Sequence, residues 1–142
     1  MACLGAAQVD RDGNLNSTLI PGGPFLVGSG GANDVASRAE ACVVVALARP
    51  DRLVERVGFV TSPGGRVTSV VTDLGVLRRI DGTLQVAAVP SGPGPMADRV
   101  RALVDGCGWD VAVARSVSEL APVMTDEVLA LRRYDPERLF LA

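Results

Sequence analysis

The stretch best equipped for chemistry is Gly28-Ser29-Gly30-Gly31-Ala32-Asn33-Asp34. Apolar Phe25-Leu26-Val27 precedes it and reads as a strand, and Asn33 and Asp34 suit the cap or first turn of a short helix through about Ala39. Glycines between a strand and a helix let the backbone take left-handed angles and let a ligand come close. The first amides of the helix lack intrahelical partners, so such a loop can hold a phosphate or the oxyanion that forms on a carbonyl. The same residues also make a tight turn with an Asn or Asp cap, and the pattern alone leaves both readings open. The spacing is not GxGxxG, because the sixth position from Gly28 is Asn33. Asp51, the downstream acid, falls in a Pro-Asp turn rather than at a strand end, which disfavours a dinucleotide site.

Other catalytic chemistries are limited by what the chain lacks. All 14 cationic residues are Arg, with no Lys and no His. A P-loop lysine, a Schiff-base lysine, a Ser-His-Asp triad, a Cys-His dyad and a His-ligated metal therefore cannot be built from it. The glutamates are Glu40, Glu55, Glu119, Glu127 and Glu137. Glu55, Glu127 and Glu137 read as solvated, and Glu40, next to an apolar run, is expected to be partly buried. The aspartates fall singly in turns, so no metal constellation is expected. Arg78-Arg79 and Arg132-Arg133 read as solvated faces or partner contacts, with phosphate binding the lesser option. Cys3, Cys42 and Cys107 are widely spaced and form no CxxC; Cys42 opens an apolar run and reads as a buried, inert thiol.

The elements that must carry the loop follow from periodicity. Leu4–Val9 reads as a strand, Asp10-Arg11-Asp12-Gly13-Asn14 as a turn, and Leu15–Ile20 as the returning arm of a hairpin. Ala41–Ala48, short and Val-rich, reads as a central strand. Pro50–Glu55 reads as a turn or a single helical turn, Val57–Val60 as a strand end, and Thr61–Gly65 as a turn. Val67–Thr72, Gly75–Ile80 and Thr83–Val89 are strands, the last two joined by an Asp81-Gly82 hairpin. Pro95 opens a helix whose apolar face is Met96, Val100, Leu103 and Val104, ended at Gly106 or Gly108. Asp110–Ala114 reads as a strand. A last helix begins at Thr125-Asp126-Glu127, carries Arg132 and Arg133 in its final turn, and stops at Asp135-Pro136. The expectation is one α/β domain over residues 1–142, a mixed open sheet with flanking helices.

Several segments, read in order, resemble the β subunit of class I coenzyme A transferases, most closely the glutaconate type. They are Gly5-Ala6-Ala7-Gln8-Val9-Asp10 with Gly13-Asn14-Leu15-Asn16-Ser17-Thr18, then Gly28–Ala36, Phe59–Gly64, Val70–Val76 and Arg132–Pro136. The resemblance implies a reaction in which a glutamate carboxylate attacks an acyl-CoA, a glutamyl-CoA thioester forms, and coenzyme A passes to a carboxylic acid. It assigns Gly28, Ser29, Gly30, Gly31, Ala32 and Asn33 to the thioester and its developing oxyanion. It places the nucleophilic glutamate upstream of Gly5, where this chain has four residues. None of the five glutamates is thus assigned to catalysis, and the chain is expected to be the C-terminal part of the subunit, lacking the family's N-terminal segment. The implied partners are a homologous α subunit in a hetero- or homo-oligomer, an acyl-CoA and a carboxylic acid. Coenzyme A enters as a thioester substrate, and no permanently bound cofactor is expected. An acyl-CoA hydrolase or decarboxylase of the same fold, a catalytically inactive structural fragment, and a phosphate- or nucleotide-binding module are the alternatives.

Charge and hydropathy set the remaining bounds. Fourteen cations against 16 acids leave a net charge of −2, without the basic excess of a nucleic-acid binder. Mean hydropathy is +0.30, yet the longest apolar run, Ala41–Ala48, is far below the ~20 residues of a membrane span. Met1-Ala2-Cys3-Leu4 has no basic segment of the kind that opens a signal peptide. A cytoplasmic protein without membrane or nucleic-acid partners is expected.

Overall fold

Strand-forming runs rich in Val alternate with two longer helical segments, and the chain builds a mixed sheet from them. The computed structural model describes residues 1–138. The strands are β1 (Ala2–Gly5), β2 (Gln8–Asp10), β3 (Leu15–Asn16), β4 (Cys42–Val45), β5 (Leu53–Val54), β6 (Val67–Val71), β7 (Val76–Ile80), β8 (Thr83–Pro90) and β9 (Ala112–Leu120). The helices are α1 (Ala32–Arg38), α2 (Met96–Asp105) and α3 (Thr125–Tyr134), with a 3-10 turn at Gly64–Arg66. Among the described residues a six-stranded sheet runs β1-β4-β6-β7-β8-β9, and a small sheet runs β3-β2-β5. β1, β4 and β6 are parallel, β6, β7 and β8 antiparallel, and β9 parallel to β8. This is the expected mixed α/β sheet with flanking helices.

The core lies where alternating strand positions meet. Cys42, Val44, Val67, Val70, Leu77, Val86 and Val89 are buried from the sheet, joined by Leu103 of α2 and by Val9, Leu15 and Leu53 of the small sheet. Each such side chain contributes roughly 1.5–3 kcal/mol by leaving water. β4 lies inside the sheet, as its Val content predicts, but only one of its faces is covered. Val45 and the following Leu47 are each 50% exposed. With Val71 they line an open cavity of about 600 Å³ at the carboxyl ends of β1, β4 and β6. The β7–β8 hairpin turns at Asp81 and Gly82, with φ of 49° and 84°. Both residues are left-handed, as a two-residue type I′ loop requires.

Several expectations are corrected. Leu4–Val9 is not one strand: the chain leaves the large sheet after Gly5 and enters the small one at Gln8. β1 is an edge of the large sheet, and Leu4 packs on the core. Phe25-Leu26-Val27 is not a strand. Pro24 has no N–H for a ladder, so Phe25 makes only an isolated bridge to Leu19, and Leu26 N donates to Thr18 O at 2.7 Å. Val57–Val60 forms no strand, whereas the Pro50–Glu55 turn contains β5. The strand expected at Asp110–Ala114 runs instead over Ala112–Leu120. Glu40 is exposed rather than partly buried. Arg79 is no solvated face: Nε donates to Val67 O (2.8 Å), Nη1 to Gly82 O (2.9 Å), and Nη2 to Asp12 O (2.8 Å) and Gly64 O (3.1 Å). Among the described residues no helix is long and apolar enough to cross a membrane.

The cysteines behave as buried thiols except one. Cys42 and Cys107 are buried and Cys3 is exposed. Burial pushes the Cys107 thiol up to about 11 and raises Cys42 as well, with the neighbouring Cys3 a lesser cause there. A thiol reagent at pH 8 is expected to label Cys3 alone in the native chain and all three cysteines in denaturant. The unfolded Cys107 thiol loses its proton near pH 9 while the folded one keeps it to about pH 11. Its contribution is complete below pH 9 and disappears as pH rises through about 11, a fall of about 2–3 kcal/mol. Urea midpoints measured from pH 8 to 11 check this: Cys107→Ala should flatten the decline, and an identical decline in both proteins rules the assignment out.

Candidate functional site

The glycine loop owes its position to a polar network that begins in β2. Asp10 is 1% exposed, yet its carboxylate accepts four hydrogen bonds. Oδ1 takes the amides of Asp12 (3.0 Å) and Asn14 (2.9 Å); Oδ2 takes Asn14 Nδ2 (3.2 Å) and Val57 N (3.3 Å). Asn14 Oδ1 in turn accepts from Gly64 N at 2.9 Å. A Cβ on Gly64 would lie 2.3 Å from the Gly13 carbonyl carbon and 2.4 Å from Asn14 N, so this contact is backbone against backbone and only glycine fits.

The next layer fixes the chain that leads to the loop. Asn16 is fully buried in β3. Its Oδ1 accepts from Thr18 N and Leu19 N, both at 3.1 Å, and its Nδ2 donates to Leu19 O (2.8 Å) and Gln8 Oε1 (3.0 Å). Every polar atom of the amide is thereby used, which is what makes a buried Asn tolerable. Ser17 N donates to Thr61 Oγ1 (2.9 Å), which donates to Thr18 Oγ1 (3.0 Å). Thr61 and Ser62 are themselves buried. The side chains of Asn14, Asn16 and Thr18 are therefore positioning groups. Polar side chains inside an apolar hairpin arm were the available sequence signal for them.

From that anchor the chain runs outward to the loop. Gly28, Ser29, Gly30, Gly31 and Asn33 are exposed, and Ala32 is half-buried as the first residue of α1. Gly30 sits at φ +52°, and Gly31 is the N-cap at φ −85° without a side-chain cap bond. A Cβ on Gly28, Gly30 or Gly31 would meet nothing within 4 Å. Within the loop Ala32 N donates to Ser29 O (3.0 Å) and Val35 N to Gly31 O (3.0 Å). The amides of Gly28, Ser29, Gly30 and Gly31 have no protein acceptor among the described residues. Asn33 does not act as a cap; its backbone carbonyl accepts from Ser37 Oγ at 2.7 Å. α1 spans only seven residues, so its dipole adds little, and the unpaired loop amides are the main donors on offer.

The five glutamates do not converge on one place. Glu55 pairs with Arg11 at 3.2 Å, Glu119 with Arg99, and Glu127 accepts from Met124 N at 2.9 Å to cap α3. Glu40 and Glu137 are exposed. No group of three His, Cys, Asp or Glu that could hold a metal occurs among the described residues.

An uncharged, glycine-lined turn with free amides, held out from an α/β sheet by a buried polar network, can stabilise negative charge on an acyl or phosphoryl oxygen. The class is thus an α/β fold with a mixed sheet that leaves a glycine turn's backbone donors exposed. Residues 1–102 match the coenzyme A transferase family, and the chain belongs to it. It is 29% identical over 150 residues to the β subunit of a 3-oxoadipate CoA-transferase from Pseudomonas knackmussii, covering 91% of this chain and 56% of that protein. It is 29% identical over 163 residues to the β subunit of the glutaconate CoA-transferase of Acidaminococcus fermentans, covering 99% of this chain and 59% of that one. The crystal structure of the A. fermentans glutaconate CoA-transferase superposes with a TM-score of 0.81 at 26% identity, over 99% of this chain and 60% of that one. The decarboxylase AibA/AibB shares the fold, with a TM-score of 0.75 at 23% identity, over 97% of this chain and 58% of that one. The chain spans less than two thirds of the length of each of these relatives.

Proposed function

We propose that this chain works as part of a CoA-transferase β subunit, together with a homologous α subunit in an oligomer. It moves coenzyme A from an acyl-CoA to a carboxylic acid. The observation that carries this reading is the family match over residues 1–102. In this reading the chain is one domain and takes coenzyme A only as a thioester substrate. It acts in the cytoplasm, where thiols such as the free Cys3, Cys42 and Cys107 stay reduced.

The chemistry divides between this chain and a carboxylate outside these residues. A glutamate oxygen adds to the thioester carbonyl and expels CoA thiolate, leaving a mixed anhydride. The thiolate then attacks the glutamyl carbonyl and releases the donor acid as its carboxylate, giving a glutamyl-CoA thioester. The acceptor carboxylate reverses both steps: it forms a second anhydride, the thiolate attacks its acyl carbon, and the glutamate is set free. Each addition puts negative charge on a carbonyl oxygen. Gly28, Ser29, Gly30 and Gly31 supply the donors for that oxygen, and their exposure and unpaired amides support this role, with Ala32 and Asn33 beginning α1 beside them.

Decarboxylation rests on a likeness of fold alone and is the second reading. Hydroxylamine or borohydride added to the assembled enzyme with acyl-CoA is expected to modify a glutamate outside this chain. Modification of Glu40 or Glu55 instead overturns the assignment, and so does an acyl-CoA that is consumed without any transfer to a carboxylic acid.

A further inference from the structure

An uncovered apolar surface leading into the glycine loop is made by Leu19, Phe25, Leu26, Val27, Phe59 and Val60. Their exposures run from 37% at Leu19 to 68% at Phe25. The six belong to one surface. Leu19 and Phe25 form a bridge, Leu26 N donates to Thr18 O at 2.7 Å, and Thr61 Oγ1 donates to Thr18 Oγ1 at 3.0 Å. Gly58 sits so close to Pro21 that a Cβ on it would lie 2.3 Å from the proline ring. Val27 leads directly into Gly28, so the patch adjoins the proposed oxyanion donors in the chain.

The segments that make this surface carry no charge of their own. From Ser17 to Asn33 no residue is charged, and from Val57 to Gly65 none is either. The charged side chains at its borders are ill-suited to an anion. Asp34 follows the loop in the chain. Arg11 and Arg56, which line a neighbouring cleft with Val60, share it with Asp10, Asp12 and Glu55, and Arg11 is paired with Glu55. Taking an ω-carboxylate out of water here would leave it without a partner, which is costly, whereas an alkyl chain gains for each methylene removed from water.

Resting on the proposed CoA-transferase reading, we infer that this surface receives the acyl chain of the thioester, and that the chain is an uncharged alkyl or alkenyl group without a second carboxylate. Phe25, Val27 and Phe59 are then the specificity-determining residues on this subunit, and the glycine loop holds the carbonyl they deliver.

The test is a donor series on the assembled enzyme: acetyl-, butanoyl- and hexanoyl-CoA against succinyl- and adipyl-CoA, with Phe25→Ala beside the wild type. Values of kcat/KM are expected to rise about threefold or more per methylene along the monocarboxylic series. They should fall at least tenfold when the chain ends in a carboxylate. Phe25→Ala should flatten the length dependence while the subunits still co-elute at the same concentration. Transfer that is indifferent to chain length, or faster with adipyl-CoA than with hexanoyl-CoA, overturns the inference and leaves the functional reading standing. A Phe25→Ala protein whose subunits co-elute only at higher concentration, with the length dependence unchanged once assembled, assigns the patch to a subunit interface, which also overturns it. Transfer from none of the five donors counts against the functional reading itself, and the inference falls with it.

Discussion

Asp10→Ala is expected to destabilise the chain by about 3–5 kcal/mol, near the upper end for a single substitution. The carboxylate is 1% exposed and accepts from three backbone amides and one side-chain amide. Truncation leaves those donors facing a small void, and a buried donor without an acceptor costs roughly 1–3 kcal/mol. The turn it ties together also holds Gly64 against Gly13 and Asn14, so the loss spreads to the 3-10 turn before β6. Asp10→Asn should cost about half as much, because one oxygen survives to hold Asp12 N and Asn14 N while the new amide opposes the Val57 and Asn14 donors. Urea unfolding followed by the fluorescence of Trp109 measures both. With a slope of about 1.5–2 kcal/mol per molar, the alanine variant should lose about 2 M in midpoint. A shift below about 0.5 M would mean that water satisfies these amides and that Asp10 is dispensable.

The second large effect belongs to the loop. Gly31→Val in the assembled enzyme should lower kcat/KM by about 100-fold, with little change in stability. Gly31 has φ −85°, which any residue adopts, and a Cβ there meets nothing within 4 Å, so the fold admits the side chain. In the proposed function the same open space is where an acyl oxygen approaches the amides of Gly28, Ser29 and Gly30. Displacing a reacting group by about 1 Å costs about 10²-fold, and removing one oxyanion donor costs about 10²–10³-fold. Gly31→Ala, with a smaller obstruction, should fall between. The loss is expected chiefly in kcat, because the oxyanion exists only during reaction. A Gly31→Val enzyme within threefold of wild type, with an unchanged urea midpoint, would remove the loop from the catalytic site.

The two predictions concern one device seen from its ends. Asp10, Asn14 and Asn16 bury polar groups so that the chain from Ser17 to Val27 can leave the sheet and stay in place without a strand of its own. The glycines at its tip then keep their amides unpaired. A site of this kind draws its precision from the interior and its chemistry from the surface.

Much of this was legible in the residues. Val periodicity marked β4, β6, β7 and β8. Asp81-Gly82 marked the hairpin because two successive left-handed residues admit little else. Pro95 and Gly106 bracketed α2, and the Gly28–Asn33 loop and its short helix were visible in glycine spacing and family resemblance. Such features depend on local torsional preference and side-chain alternation, which a linear reading contains. Tertiary structure alone decided that Leu4–Val9 divides between two sheets, that Phe25–Val27 makes one isolated bridge instead of a strand, and that Arg79 is spent on four carbonyls. It also decided that Asp10, in what reads as an ordinary turn, gathers donors from as far along the chain as Val57. The physical reason is the same in each case: whether a polar or apolar group is satisfied depends on which distant segment folds against it, and no local pattern encodes that distance.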